Sequence, residues 1–227
     1  MNGRSIELTA ADGHRLSAYQ SMPDGKPKGG IVVLQEIFGI TANIRAICDH
    51  LAGCGYCAIA PSLFDRQTRD LVLPYTTDGS VKGRALRQSI GWTNALADTA
   101  AAANALASTG KIAAFGFCWG GTVAWLAAAR LPHIGAAVCY YPTQILPFAA
   151  EAPRFPVLMH FGERDPFTPL STIGTLRANH GSRVEIQVYP AGHGFDCNDR
   201  TDYHQPSADG ARERTLAFLA REIGGHE

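Results

Sequence analysis

The hexapeptide Gly116-Phe117-Cys118-Trp119-Gly120-Gly121 constrains this chain more than any other stretch. It follows Lys111–Phe115, an apolar run that reads as a buried strand, and precedes Thr122–Arg130, which reads as a helix. A chain that passes from strand to helix through one residue forces that pivot into an unusual backbone conformation, so its neighbours must be small. Three glycines meet that demand, and the pivot is a cysteine. The same turn predicts that the Cys118 sulfur lies at a helix N-terminus, where unpaired N–H groups and the helix dipole favour a thiolate. The competing reading is a phosphate-binding glycine turn with Cys118 as a small buried residue. It lacks the lysine or the longer glycine spacing of such loops.

Taken in order, the chain alternates strand and helix around this turn. Ser5–Thr9 and Arg15–Ser21 flank Asp12-Gly13 and read as an antiparallel hairpin at a sheet edge. Gly30–Gln35 is a continuous apolar run, the mark of a strand buried on both faces. Thr41 is a candidate N-cap for a helix to about Ala52, with Ile44, Ile47 and Leu51 on one face. Tyr56–Ala60 is the next strand, stopped by Pro61. Ser62 to Gly83 is the least regular segment, and the spacing predicts a helix from about Gly83 to Ser108. Strands follow at Ile134–Tyr141, Phe155–Phe161 and Arg183–Tyr189, with helices from about Pro169 to His180 and Ser207 to Ile223. This alternation predicts an α/β fold: a mostly parallel central sheet with helices on both faces, formed by residues 1–227 as a single domain.

Charge and cysteine content narrow the function classes. The 227 residues carry equal numbers of basic and acidic side chains, so no strong field for nucleic acid or an anionic membrane is expected. The first residues show no long apolar signal region, and no apolar run reaches membrane-spanning length. The expectation is a cytoplasmic protein, a monomer or small homo-oligomer, whose partners are small molecules. Its six cysteines (Cys48, Cys54, Cys57, Cys118, Cys139 and Cys197) then read mainly as small buried residues. Cys54-Gly-Tyr-Cys57 has redox-motif spacing, but it closes a helix, whereas a redox dithiol opens one.

In an open parallel sheet, ligands bind at the carboxyl ends of the strands. Glu36, Cys118, Asp165 and His193 stand at four such ends. Nucleophile, acid and histidine occur in the chain order of hydrolase triads. A thiol attacks a carbonyl well as thiolate, an imidazole can take its proton and return one to the leaving group, and a carboxylate fixes the imidazole tautomer. Glu163 is the rival of Asp165 for the acid, and Glu36 also reads as a helix-entry carboxylate. The elbow geometry further assigns the Trp119 N–H to an oxyanion hole. Phe38, Trp119, Tyr140, Tyr141 and Phe195 lie beside this constellation; Phe38 and Phe195 read as lining a pocket for a flat substrate, while Trp119, Tyr140 and Tyr141 either do the same or pack in the core.

From about Asp12 to Leu219 the chain resembles the dienelactone hydrolase (carboxymethylenebutenolidase) family of the α/β-hydrolase fold. The residues that carry the likeness are Gln35-Glu-Ile-Phe-Gly39, Gly116–Gly121, Gly162-x-x-Asp165, Ala191-Gly-His-Gly-Phe195 and Glu213–Leu219. The resemblance implies an α/β-hydrolase with no large cap domain, Cys118 as nucleophile, His193 as base and Asp165 as its orienting acid. It implies a Glu36 that touches the resting thiol, backbone N–H groups of Ile37 and Trp119 as the oxyanion hole, and no metal or organic cofactor. The implied reaction is attack on a small lactone or ester, a thioester acyl-enzyme and its hydrolysis. Members acting on dienelactone hold the substrate carboxylate between two arginines. Here Arg84 and Arg87 are candidates for the first, while the position matching the second holds no arginine and Arg200 is displaced from it. A general carboxylesterase or thioesterase is therefore an alternative, and a redox-sensing thiol protein that uses Cys118 is the alternative from another class.

Overall fold

The structure, a computed structural model, describes residues 3–225. Alternation of apolar side chains along the inner strands dictates its layers. Strand β3 (Gly30–Leu34) sends Val32 and Leu34 to one face and Ile31 and Val33 to the other, and every one of these residues is buried. A strand buried on both faces must be covered on both, so helices lie on either side. Helices α1 (Ala42–Gly53) and α5 (Gln205–Glu222) close one face, and α2 (Thr77–Ala105), α3 (Trp119–Arg130) and α4 (Leu170–His180) close the other.

The remaining strands are β1 (Arg4–Thr9), β2 (Arg15–Ser21), β4 (Cys57–Pro61), β5 (Ile112–Phe117), β6 (Ala136–Tyr140), β7 (Val157–Gly162) and β8 (Val184–Tyr189). They form one sheet in the order β1-β2-β4-β3-β5-β6-β7-β8. The β1–β2 hairpin and its junction with β4 are antiparallel, and every pair from β4 to β8 is parallel. The carboxyl ends of β3, β5, β6, β7 and β8 thus open on one edge. The order reverses beside β3 and β5, where a crevice is expected.

Two boundaries depart from the sequence reading. The helix expected from Gly83 to Ser108 starts at Thr77 and ends at Ala105. Thr76 caps it by accepting a hydrogen bond from the Gly79 N–H (3.2 Å), and Gly91, with φ +70°, breaks it in two. Its first turns are mostly exposed and polar, so the apolar period that marks a helix starts late. The Ser62–Gly83 segment is also more ordered than its composition suggests. Asp65 accepts hydrogen bonds from Ser62, from the Ser17 N–H and from the Asp70 N–H, while Arg66 forks onto Asp98 and reaches Asp12. The Leu73 N–H then bonds the Phe38 carbonyl at 2.9 Å, which fixes the Glu36–Gly39 loop from outside.

Candidate active site

At the elbow, Cys118 adopts φ +54° and ψ −114°, a region a side-chain-bearing residue enters only under constraint. The constraint is a set of backbone bonds: Cys118 N–H to the Tyr140 carbonyl (3.0 Å), Gly120 N–H to Gln35 (3.1 Å) and Thr143 N–H to Cys118 (3.2 Å). The pivot is thereby tied to the ends of β3 and β6. A Cβ at Gly116 would fall on the Gly120 carbonyl, and one at Gly120 on those of Leu34 and Gln35, so glycine is required where the helix meets the strand.

Beyond β8, the His193 ring donates from Nδ1 to Asp165 Oδ2 at 2.7 Å, and Asp165 Oδ1 accepts the Phe167 N–H at 2.8 Å. His193 and Asp165 are only 4% and 5% exposed. The carboxylate fixes the tautomer and leaves Nε2 as the basic nitrogen. Burial by itself disfavours imidazolium. The neighbouring Cys118 and the bond to Asp165 outweigh that cost and raise the His193 pKa to about 10. Tyr141 and Phe167 meet the ring edge-on at 5.0 and 4.8 Å, which holds its plane. Cys118 Sγ lies 3.8 Å from Thr143 Oγ1.

Cys118 and His193 line a common cleft of about 170 Å³ with Ile37, Phe38, Arg84, Arg87, Thr143, Gln144, Phe167 and Arg200. Among the described residues, neither the Ile37 nor the Trp119 N–H is used by a bond in a loop, turn or cap. Both amides are therefore available as donors.

A sequence profile described as the dienelactone hydrolase family matches residues 16–223. The chain belongs to the dienelactone hydrolase family. Relatives agree. A protein of Yersinia pestis provisionally named carboxymethylenebutenolidase is 36% identical, covering 93% of this chain and 85% of its own. The carboxymethylenebutenolidase of Pseudomonas putida is 31% identical over 95% of both chains. The crystal structure of a provisionally named dienelactone hydrolase from Klebsiella pneumoniae superposes with a TM-score of 0.83 at 31% identity, covering 97% of this chain and all of the other. The chain is thus a hydrolase with the α/β-hydrolase fold.

Within this family member, the cleft gathers Cys118, His193, Ile37, Phe38, Arg84, Arg87 and Arg200 as the sequence proposed, with Asp165 directly behind His193. Glu36 differs from expectation. Its carboxylate, 2% exposed, accepts Arg200 Nη1 at 3.1 Å, and the partner of the thiol is Thr143. Phe195 is a correction as well: it is fully buried against Tyr140, Tyr141 and Tyr189 and does not reach the cleft. Trp119, Tyr140 and Tyr141 are likewise fully buried and do not line the cleft.

Arg200, displaced in sequence, is returned to the cleft by the fold. Bonds from Cys197 N–H to the Gly194 carbonyl and from Arg200 N–H to Cys197 coil the segment back on itself. Gly194, with φ +79°, supplies the left-handed turn that lets the segment pass this close to the Arg200 guanidinium. The guanidinium then lies 5.8 Å from the Phe38 ring centre. Thr143, Gln144 and Phe167 were not singled out from the sequence. The strand-end rule that found the other residues applies equally to the end of β6, just before Thr143, and would have found the first two.

Proposed function

We propose that the protein is a cysteine hydrolase that cleaves a small lactone or activated ester bearing a negatively charged group. The observation that carries this reading is the buried His193–Asp165 pair set beside a cysteine held at a strained elbow. In this reading His193 holds the thiol proton and Cys118 Sγ attacks the carbonyl carbon. The carbonyl oxygen moves toward the N–H groups of Ile37 and Trp119 as it gains charge. His193 then delivers the proton to the leaving oxygen, giving a thioester and an alcohol or enol. Water, deprotonated by the same nitrogen, hydrolyses the thioester and regenerates the thiol.

Charge in the cleft supports an anionic substrate. Arg84, Arg87 and Arg200 line it, and Glu36 is the one acid hydrogen-bonded to any of the three among the described residues. Its volume favours a small molecule. A second reading, a general esterase without carboxylate preference, draws on the protein contacts that already occupy two arginines, Arg200 on Glu36 and Arg87 on Gln144.

The test is steady-state hydrolysis of dienelactone beside 4-nitrophenyl acetate, with Cys118→Ala as the blank and intact-mass detection of the acyl-enzyme. A large preference for dienelactone and an adduct on Cys118 are expected. Turnover of the neutral ester alone selects the general esterase. Parental activity in Cys118→Ala ends the nucleophile assignment.

A further inference from the structure

Beyond the end of β6 the chain makes a short excursion from Tyr141 to Gln144 whose backbone is strained at both ends. Tyr141 and Gln144 have φ of +35° and +58°, a region that side-chain-bearing residues enter at a cost. Such strain persists only where surrounding bonds fix it. Here the Tyr141 N–H donates to the His160 carbonyl (2.7 Å), the Thr168 hydroxyl to the Pro142 carbonyl (2.8 Å) and the Arg87 guanidinium to the Gln144 side chain.

Between the strained residues stands Thr143, and each of its polar groups is turned toward the elbow. Its N–H donates to the Cys118 carbonyl (3.2 Å), its carbonyl accepts the Thr122 hydroxyl of α3, and its own Oγ1 lies 3.8 Å from Cys118 Sγ. The two backbone bonds fix where Oγ1 sits. Among the described residues no other group hydrogen-bonds that oxygen, so its proton has the sulfur as its partner within the protein. Glu36, the acid at the neighbouring strand end, is committed to Arg200. Thr143 is half-buried and lines the cleft, and Cys118 beside it is almost wholly buried.

Building on Cys118 as the proposed nucleophile, we propose that Thr143 is a further catalytic residue, whose hydroxyl donates a hydrogen bond to the Cys118 sulfur whenever that atom carries negative charge. The sulfur is anionic twice in such a reaction. First, His193 takes the thiol proton, and the hydroxyl donates to the thiolate and raises its share, as a donor to an ionised acceptor does. Attack then forms the S–C bond and neutralises the sulfur. Later, water adds to the thioester carbonyl and gives its proton to His193. On collapse the C–S bond breaks, its electron pair returns to the sulfur beside Thr143, and His193 restores the thiol proton. A hydrogen-bonded thiolate is a weaker nucleophile, but nucleophilicity falls only about half as steeply as basicity. The larger thiolate share therefore wins near neutral pH, and the balance reverses once every thiol is ionised. His193, Arg84, Arg87 and Arg200 line the same cleft and also favour a thiolate, while Glu36 and Asp165 are bonded to Arg200 and His193. These groups are common to every Thr143 variant.

The experiment is alkylation by the neutral reagent iodoacetamide at pH 6.5 and pH 9.5, in the parent, Thr143→Val and Thr143→Ser. Peptide mass spectrometry follows Cys118 apart from the other free cysteines. At pH 6.5 Cys118 of Thr143→Val is expected to react about fivefold more slowly than the parent or slower still, and at pH 9.5 as fast or faster. Thr143→Ser keeps the hydroxyl and should stay within about twofold of the parent at both. With 4-nitrophenyl acetate, Thr143→Val should lower kcat with little change in KM and let the acyl-enzyme accumulate in the intact-mass spectrum. Where Thr143→Val does not fold, Thr143→Ala against Thr143→Ser makes the same comparison. Equal alkylation of the parent and Thr143→Val at pH 6.5 overturns the proposal. So does a loss of the same size at both pH values, or a Thr143→Ser as slow as Thr143→Val. With Cys118→Ala inactive, those outcomes overturn the role of Thr143 alone, whereas parental hydrolysis by Cys118→Ala overturns the nucleophile and Thr143 together.

Discussion

Arg200 Nη1 sits 3.1 Å from Glu36 Oε1, although 164 positions separate the two residues in the chain. The pair joins the loop after β3 to the segment after β8, and with it two walls of the cleft that holds Cys118 and His193. Because Glu36 is almost wholly buried and its other oxygen has no hydrogen-bond partner, it depends on Arg200 for its compensation. Removing one member of such a pair costs more than removing both, since a lone buried charge remains.

Arg200→Met is therefore expected to destabilise the protein by about 3 kcal/mol, the low end for a broken buried pair because Arg200 is partly exposed. Glu36→Gln combined with Arg200→Met should regain most of that loss. Urea unfolding of the parent, both single variants and the double variant measures the coupling directly. Additive losses would show that the two side chains do not depend on each other.

Asp165→Asn keeps the size of the side chain but removes the charge that selects the Nδ1–H tautomer. The expected loss in kcat is about 10 000-fold, with little change in KM. Glu163→Gln provides the comparison, and its kcat should stay within about twofold because Glu163 is exposed and, among the described residues, pairs only with Arg164 at the surface. Steady-state kinetics on any accepted ester distinguishes the two acids.

The raised pKa of His193 predicts two pH effects. Cys118 supplies the largest upward push, so Cys118→Ala should lower the imidazole titration, read by NMR of the ring protons. A histidine whose pKa is higher folded than unfolded binds its proton more tightly in the native state. Its stabilisation is complete below the ordinary value of 6.5 and is lost as pH rises through about 10. The parent should thus lose stability relative to Cys118→Ala across that window, as denaturant melts at pH 6 and pH 10 would report. A His193 titration unmoved by the substitution would mean that the thiol does not interact with the ring.

Two glycine substitutions should act in opposite directions. Gly174 lies on the exposed side of α4 with open space where a Cβ would sit, and Gly174→Ala should add about 0.5–1 kcal/mol by limiting the unfolded chain. Gly120→Ala would drive a methyl group into the carbonyls of Leu34 and Gln35, at a cost of at least about 3 kcal/mol. Thermal melts of the two variants check both signs.

Local chemistry made several features legible. The Thr41 hydroxyl accepts the Ile44 N–H as its cap position demands, and the apolar runs at 30–35, 112–117 and 157–162 became central strands because nothing but a two-sided burial accommodates them. The carboxyl-end rule placed Cys118 and His193 in a single cleft with Asp165 behind the histidine, since parallel strands present those ends together. Phe195 was harder to place. An aromatic residue two positions from His193 can face the cleft or the layer beneath it, and only the neighbouring Tyr140, Tyr141 and Tyr189 rings decide for the layer.

The chain by itself determined the strand–helix alternation, the cysteine pivot and its glycines, and the chain order of Cys118, Asp165 and His193 at strand ends, because each rests on residues adjacent in sequence or on a rule of strand ends. Tertiary structure alone decided which side chain Glu36 bonds, that Arg200 reaches the cleft from a displaced position, and that Thr143 is the neighbour of the thiol. These depend on how loops coil back beyond the strand ends. Such distances are set by packing among elements far apart in the chain, and no local pattern encodes them.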